Sequence, residues 1–185
     1  MPHSNILMEK TSIIIIDDHQ LFRNGLKILL NSFDDLEVVG EASNGYEFLK
    51  LLPSITADIA LMDINMPEMD GIEATRKGLR INPDMRVIAL SMYGEEDYYY
   101  RMVDAGVKGF LLKDSAISEV RDAIIAVMKG GTYFSQELLH HVIQRIKHRE
   151  HESKSANLSR REKEILAKIC EGLSNQEIDD ELFIS

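Results

Sequence analysis

The sequence predicts an α/β domain built on a five-stranded, doubly wound parallel sheet, followed by a smaller all-α segment. Three observations support this class. Residues 1–128 alternate short apolar runs with longer segments of helical periodicity. The alternation stops at two adjacent glycines, Gly130 and Gly131, and helical patterns alone follow them. Strands and helices that alternate in this way are typical of a parallel sheet with helices on both faces.

Five short apolar runs, each bounded by turn or acidic residues, predict the strands. Runs this apolar indicate strands that are covered on both faces, as helical crossovers require. In chain order the runs are SIIIID at 12–17, LEVVGEA at 36–42, DIALMD at 58–63, RVIALS at 86–91 and KGFLLK at 108–113.

Apolar residues at helical spacing lie between and after these runs, and they predict five helices. The first helix has four leucines that share one face: Leu21, Leu26, Leu29 and Leu30. The fifth helix has a similar stripe: Ala116, Val120, Ile124, Val127 and Met128.

The chain divides into three parts. Residues 1–133 form the predicted α/β domain, and residues 134–157 form a helix and a polar linker. Residues 158–185 begin a second, all-α unit. Its first helix is marked by Ser159 at the N-cap with Glu162 three residues later, which is a capping box.

The composition excludes several classes of protein. The formal net charge is −10, and the acidic excess lies in residues 1–128, so this domain should repel nucleic acid. The single cysteine, Cys170, excludes an internal disulfide and fits a reducing compartment. We see neither a secretion signal nor a long apolar span, and we expect a cytoplasmic protein without a membrane partner.

Acidic residues follow two strands that should be neighbours. The first strand ends at Asp17 and Asp18, and the third ends at Asp63. In the strand order 2-1-3-4-5 the topological switch point lies between the first and third strands, so the three carboxylates should converge there. Such a cluster requires a shared cation, and its oxygen ligands suit Mg²⁺.

The other two strand ends supply groups that complement a phosphoryl group. Ser91 ends the fourth strand and Lys113 follows the fifth. A carboxylate beside bound Mg²⁺ can attack phosphorus, and a cation and a hydroxyl can stabilise the transferred oxygens. Strand-end aspartates often only cap helices, and a lysine in such a place is often only solvated. The conjunction at four strand ends favours the chemical site.

Four segments resemble the receiver domain of two-component response regulators, over roughly residues 11–130. They are IIIIDDHQLFRNGL, ALMDINMPEMDGIEA, VIALSMYGEED and VKGFLLKDS. A fifth, LSRREKEILAKICEGLSNQEI, resembles the start of the LuxR-type helix-turn-helix of the NarL/FixJ class.

The resemblance implies a phosphoacceptor and a metal site. Asp63 would accept a phosphoryl group from a sensor histidine kinase. Asp17, Asp18 and Asp63 would hold Mg²⁺ or Mn²⁺ together with the backbone carbonyl of Asn65. The domain would promote its own phosphorylation and dephosphorylation without being a turnover enzyme.

The resemblance also implies a switch. Ser91 and Lys113 would bind phosphoryl oxygens, and Phe110 would occupy the position of the switch aromatic residue. Movement of Ser91 would leave space for Phe110 and change the surface formed by the fourth helix, the fifth strand and the fifth helix.

The family output is regulation of transcription, with promoter DNA as the partner of an intact version and a homodimer as a further assembly. In this chain the recognition helix would follow Ser185. We therefore expect residues 158–185 to be an incomplete LuxR-type unit, without a DNA-binding residue and with DNA reading lost.

Three alternatives are open to the sequence. A regulator could act by protein contact alone, with its last segment as a remnant or a dimerisation element. An aspartate-based phosphohydrolase would need an Asp-x-Asp pair after the first strand, whereas Asp17 and Asp18 are adjacent. A flavin-binding domain of similar topology would need donor-rich phosphate loops in place of DDHQ.

Overall fold

A computed structural model describes residues 10–92 and 98–134. Strands and helices alternate along this part of the chain, as the sequence predicts. The strands are β1 (Thr11–Ile16), β2 (Leu36–Ala42), β3 (Ile59–Asp63), β4 (Arg86–Ser91), β5 (Gly109–Leu112) and β6 (Tyr133–Phe134). The helices are α1 (Gln20–Leu30), α2 (Gly45–Leu51), α3 (Gly71–Ile81), α4 (Tyr99–Ala105) and α5 (Ile117–Met128).

All strands pair in parallel, in the order β2-β1-β3-β4-β5-β6. The first five have the predicted order, and β6 extends the sheet by one short strand that the sequence analysis missed. Its two residues are too few for a detectable period. Gly130 turns the chain towards it at φ +87°, a left-handed conformation that glycine adopts without strain.

The helices cover both faces of the sheet. Helices α1 and α5 pack on one face around Leu30 and Ile124, and α2, α3 and α4 pack on the other around Phe48, Ile72 and Met102. Side chains alternate between the two faces along a strand, so an unbroken apolar run such as Ile13–Ile16 supplies both cores.

The face that α1 buries is narrower than its apolar stripe. Of the four α1 leucines, Leu26 and Leu30 are buried, whereas Leu21 is 87% exposed and Leu29 is 48% exposed. Leu21, Leu26 and Leu29 line a shallow apolar groove of about 210 Å³ together with residues of α5. Apolar spacing alone does not set the width of the face that a helix buries.

Several predictions fall outside the described residues. They concern the helix and linker within residues 134–157, beyond Phe134, and the LuxR-type unit at 158–185. The domain boundary at residue 133 stays a prediction. Among the described helices, we find none with the length and apolar character that a membrane crossing requires.

The loop after β3 returns the chain to the sheet edge through a close backbone contact. The amide of Gly71 donates a hydrogen bond of 2.8 Å to the carbonyl oxygen of Ile64. A Cβ atom at position 71 would lie 2.0 Å from the carbonyl oxygen of Asp63. Glycine at the start of α3 therefore lets the helix approach the backbone that carries Asp63.

We expect Gly71→Ala to lower the free energy of unfolding by at least about 2 kcal/mol, because backbone atoms must move to relieve the overlap. Gly25→Ala is the matched control, since a Cβ there meets nothing within 4 Å and alanine favours the helix by up to about 1 kcal/mol. Urea unfolding of both variants measures the difference. Equal stabilities would contradict the close contact at Gly71.

Candidate functional site

Lys113 connects two buried carboxylates at the carboxyl edge of the sheet. Its Nζ lies 2.9 Å from Oδ2 of Asp17 and 2.8 Å from Oδ2 of Asp63. Asp17 follows β1, Asp63 ends β3 and Lys113 follows β5. All three side chains are nearly inaccessible, with exposed fractions of 0%, 2% and 6%. The fold thus brings together three residues that are distant in sequence.

The remaining carboxylate oxygens accept backbone amides. Oδ1 of Asp17 accepts the amide of His19 at 2.7 Å, and Oδ1 of Asp63 accepts the amide of Ile64 at 2.8 Å. Each carboxylate is thereby held at one oxygen by its own loop and at the other by Lys113. This arrangement fixes the orientation of both groups.

Burial and charge set the protonation of these groups. Burial is the main reason that the pKa of Asp63 rises to about 6, and Lys113 opposes this rise. Burial alone lowers the pKa of Lys113, but the hydrogen bonds and charges of Asp63 and Asp17 outweigh burial and raise it above its ordinary value. At neutral pH the site therefore holds a charged lysine and a mostly ionised Asp63.

The site has the donors that a hard divalent cation requires. Asp17, Asp18, His19 and Asp63 each offer one ligand atom, and these atoms lie within 4.8 Å of one another. Lys113 offsets one of the three carboxylate charges, so the cluster keeps a net negative charge. Carboxylate oxygens are the preferred ligands of Mg²⁺. The donor set therefore fits that ion.

His19 lies beside the cluster without entering it deeply. Its Nδ1 is 2.9 Å from Oδ1 of Asp18 and 3.4 Å from Oδ1 of Asp17, and its side chain is 66% exposed. Imidazole suits transition metals better than Mg²⁺. We assign the hard-cation donors to the carboxylates.

The other predicted site residues lie on neighbouring elements. Ser91 ends β4 and is buried, and its hydroxyl donates to the carbonyl oxygen of Met92 at 3.0 Å. The amide of Lys113 donates to the carbonyl oxygen of Ser91 at 2.7 Å, which joins the ends of β4 and β5. Asn65 is exposed in the loop after β3.

Phe110 lies inside β5 and is fully buried. Its ring is packed against Tyr99 of α4, with centroids 5.3 Å apart. The predicted switch aromatic residue therefore contacts the helix whose surface it is expected to change.

The sequence analysis missed three residues that support the site. The ring of Phe22 lies 5.4 Å from Nζ of Lys113, within range of a cation–π contact. Arg23 donates a hydrogen bond to the backbone carbonyl of Asp17, and Glu41 on β2 lies 3.5 Å from Arg23 Nε. Phe22 and Arg23 lie on α1, and the apolar pattern of that segment does not show in which direction these two side chains point.

The raised pKa of Asp63 predicts a stability change with pH. Ionisation of Asp63 costs more in the folded than in the unfolded chain, so wild-type stability should fall as the pH rises from about 4 through about 6. Without Mg²⁺, Asp63→Asn should exceed wild type by about 1–3 kcal/mol near pH 7.5 and match it near pH 4. Chemical unfolding across this range measures the difference, and exposed Asp84, changed to Asn, is the control. A gap that does not vary with pH would contradict the prediction.

Two family models match separate parts of the chain. The response regulator receiver domain matches residues 13–125. The luxR family of bacterial regulatory proteins matches residues 156–185. The first match covers β2 to β5, most of β1 and the strand ends that form the site.

Similar proteins align over both parts. The transcriptional regulatory protein LiaR of Bacillus subtilis is 40% identical over 174 residues, with 94% of this chain and 82% of LiaR covered. The crystal structure of ChrA, a response regulator of a heme-sensing two-component system, has 36% identity and a TM-score of 0.63, with 95% and 83% covered. The structure of two RcsB dimers bound to two parallel DNAs has 26% identity and a TM-score of 0.69, with 96% and 85% covered. The chain belongs to the two-component response regulators that combine a receiver domain with a LuxR-family segment.

Proposed function

We propose that Asp63 is the phosphoacceptor of this response regulator and that a histidine kinase supplies the phosphoryl group. One observation carries the proposal. The buried carboxylate of Asp63 is held by Lys113 beside Asp17, at the edge of the sheet where Asp18 and Ser91 also lie.

The chemistry is a displacement at phosphorus. An oxygen of Asp63 forms the new P–O bond while the P–N bond of a phosphohistidine breaks, and the leaving imidazole takes a proton. A pKa of about 6 keeps Asp63 mostly ionised at neutral pH, as a nucleophile must be. Transfer of the phosphoryl group to water restores the carboxylate. The domain would thus promote its own phosphorylation and dephosphorylation without turning over an external substrate.

The proposed metal ion is Mg²⁺ or Mn²⁺, bound by Asp17, Asp18 and Asp63 with the backbone carbonyl of Asn65. Once bound, it neutralises charge on the transferring oxygens. Lys113 is already within 2.8 Å of Asp63, so its ammonium group can follow the new phosphoryl oxygens. Two cations at one carboxylate offset the repulsion between an anionic donor and an anionic acceptor.

The proposed switch uses the residues at the ends of β4 and β5. Ser91 would move to bind a phosphoryl oxygen, and its movement would change the space available to Phe110. The close contact between Phe110 and Tyr99 supports transmission to α4. The aspartyl phosphate acts as a covalent ligand that favours one of two states.

The output proposed for this class is transcription regulation through promoter DNA. The luxR-family match at residues 156–185 supports that partner, and the RcsB dimers on DNA support a homodimer as the acting form.

The exposed apolar side chains Leu21 and Leu29 lie on α1, whose groove includes Lys113. They provide a contact surface for a kinase that must reach Asp63.

We expect Asp63→Asn to abolish covalent labelling by a small-molecule phosphodonor in the presence of Mg²⁺. An amide cannot form the acyl phosphate. Intact mass spectrometry should therefore show that the added phosphate appears at least about 100-fold more slowly than in wild type. Asp84→Asn retains every site residue and should label like wild type. Undiminished labelling of Asp63→Asn would contradict the assignment. Steady release of phosphate from a small substrate would instead favour a phosphohydrolase.

We expect Ser91→Ala to accept the phosphoryl group but to respond weakly. The loss of a hydrogen bond to a charged oxygen, about 1.5–3 kcal/mol, reduces the population ratio by about 10-fold or more. Hydrogen exchange of α4 and β5 amides with and without phosphodonor measures the response. Ser54→Ala is the control, because that exposed hydroxyl donates its hydrogen bond to the nearby carbonyl oxygen of Leu51. A full response in Ser91→Ala would contradict the switch.

A further inference from the structure

We infer that Arg23 is a positioning residue for the cation site, a conclusion that rests on the proposed Mg²⁺-dependent function. Arg23 contacts this site through the backbone. Its guanidinium donates to the backbone carbonyl oxygen of Asp17. It therefore acts on the peptide that carries the first metal-binding carboxylate.

The peptides on both sides of the Asp17 side chain are held in place. The amide of Asp17 donates to the carbonyl oxygen of Ala42 on β2 at 3.1 Å. Its carbonyl oxygen accepts Arg23. The next hydrogen bond runs from the amide of His19 to Asp17 Oδ1 at 2.7 Å. Arg23 thus controls the peptide on which the orientation of this carboxylate depends.

Arg23 is itself held from the opposite side. Its side chain is 14% exposed, and its Nε lies 3.5 Å from Oε2 of Glu41. Glu41 also pairs with Lys27, whose Nζ lies 2.6 Å from Oε1. Because Glu41 is next to Ala42 on β2, the guanidinium connects α1, the end of β1 and the end of β2.

The charge of Arg23 separates a positioning role from an electrostatic one by sign. A cation near the acidic cluster repels Mg²⁺, so simple loss of that charge would tighten Mg²⁺ binding. Loss of the carbonyl hydrogen bond would disorder Asp17 and weaken binding. Residues that orient metal ligands from behind typically change metal affinity by about 10–100-fold.

Lys27 is the matched control. It lies one turn further along α1, carries the same charge and pairs with the same Glu41, whereas the hydrogen bond to the Asp17 carbonyl comes from Arg23. Lys27→Ala therefore removes a similar charge and keeps the positioning hydrogen bond.

The experiment is a calorimetric titration of the full chain with Mg²⁺ alone, without phosphodonor. We expect Arg23→Ala to weaken Mg²⁺ binding by about 10-fold or more and Lys27→Ala to leave it unchanged or slightly tighter. Arg23→Lys retains the charge but not the planar fork of donors, and it should fall between Arg23→Ala and wild type. Hydrogen exchange of the His19 amide should be faster in Arg23→Ala than in wild type.

The outcomes are distinct. Unchanged or tighter Mg²⁺ binding by folded Arg23→Ala would overturn the positioning role and leave the metal site intact. Absence of Mg²⁺ binding by wild type would overturn the proposed metal site itself. Should Arg23→Ala fail to fold, Arg23→Lys decides, because wild-type Mg²⁺ affinity and wild-type His19 exchange in that variant would overturn the inference.

Discussion

The ion pairs between Lys113 and the carboxylates of Asp17 and Asp63 are the interaction on which the site depends. Three charged groups are removed from water together, and each would be costly to bury alone. A buried charge left without any partner destabilises a fold by about 3–5 kcal/mol, whereas Lys113 keeps Asp17 when Asp63 is neutral. The ends of β1, β3 and β5 are therefore coupled, because a shift of any one of them separates a buried charge from its partner.

The same ion pairs neutralise only part of the acidic charge at this edge of the sheet. In the described residues Lys113 is the ammonium group between Asp17 and Asp63, and the cluster is still acidic in total. A divalent ion would add charge where one lysine does not suffice, and a phosphoryl group would give Lys113 new oxygens to bind. In the proposed reaction, Lys113 would stay with the protein and the divalent ion would be loaded.

Much of the sheet and the site could be predicted because each depends on local patterns and one general rule. The apolar runs such as Ile13–Ile16 identify strands, and the carboxyl ends of parallel strands share one edge. That rule places Asp17, Asp63, Ser91 and Lys113 together before any coordinates are known. The distances of 2.8 and 2.9 Å at Lys113 do not follow from the rule, since they depend on the packing of its side chain.

Contacts between elements were beyond the sequence for a physical reason. Arg23 reaches the Asp17 carbonyl and Glu41 because α1 packs against β1 and β2, and apolar spacing within α1 does not determine that packing. Phe22 faces Lys113 for the same reason. The exposure of Leu21 was likewise beyond the sequence, because periodicity shows which residues share a face and not what covers it.

Packing at the far end of the sheet connects Phe110 with Phe134, the last described residue. Phe110 and Phe134 are partners in the β5–β6 register, and Phe134 packs against the same core that holds Phe110. The Tyr99 ring contacts both, at 5.3 and 5.7 Å between centroids. Because such interiors are close-packed, a change at Phe110 must alter the contacts of Tyr99 and hence of Phe134. Phe134, the last described residue, thus shares a core and a ring neighbour with the residue proposed as the switch.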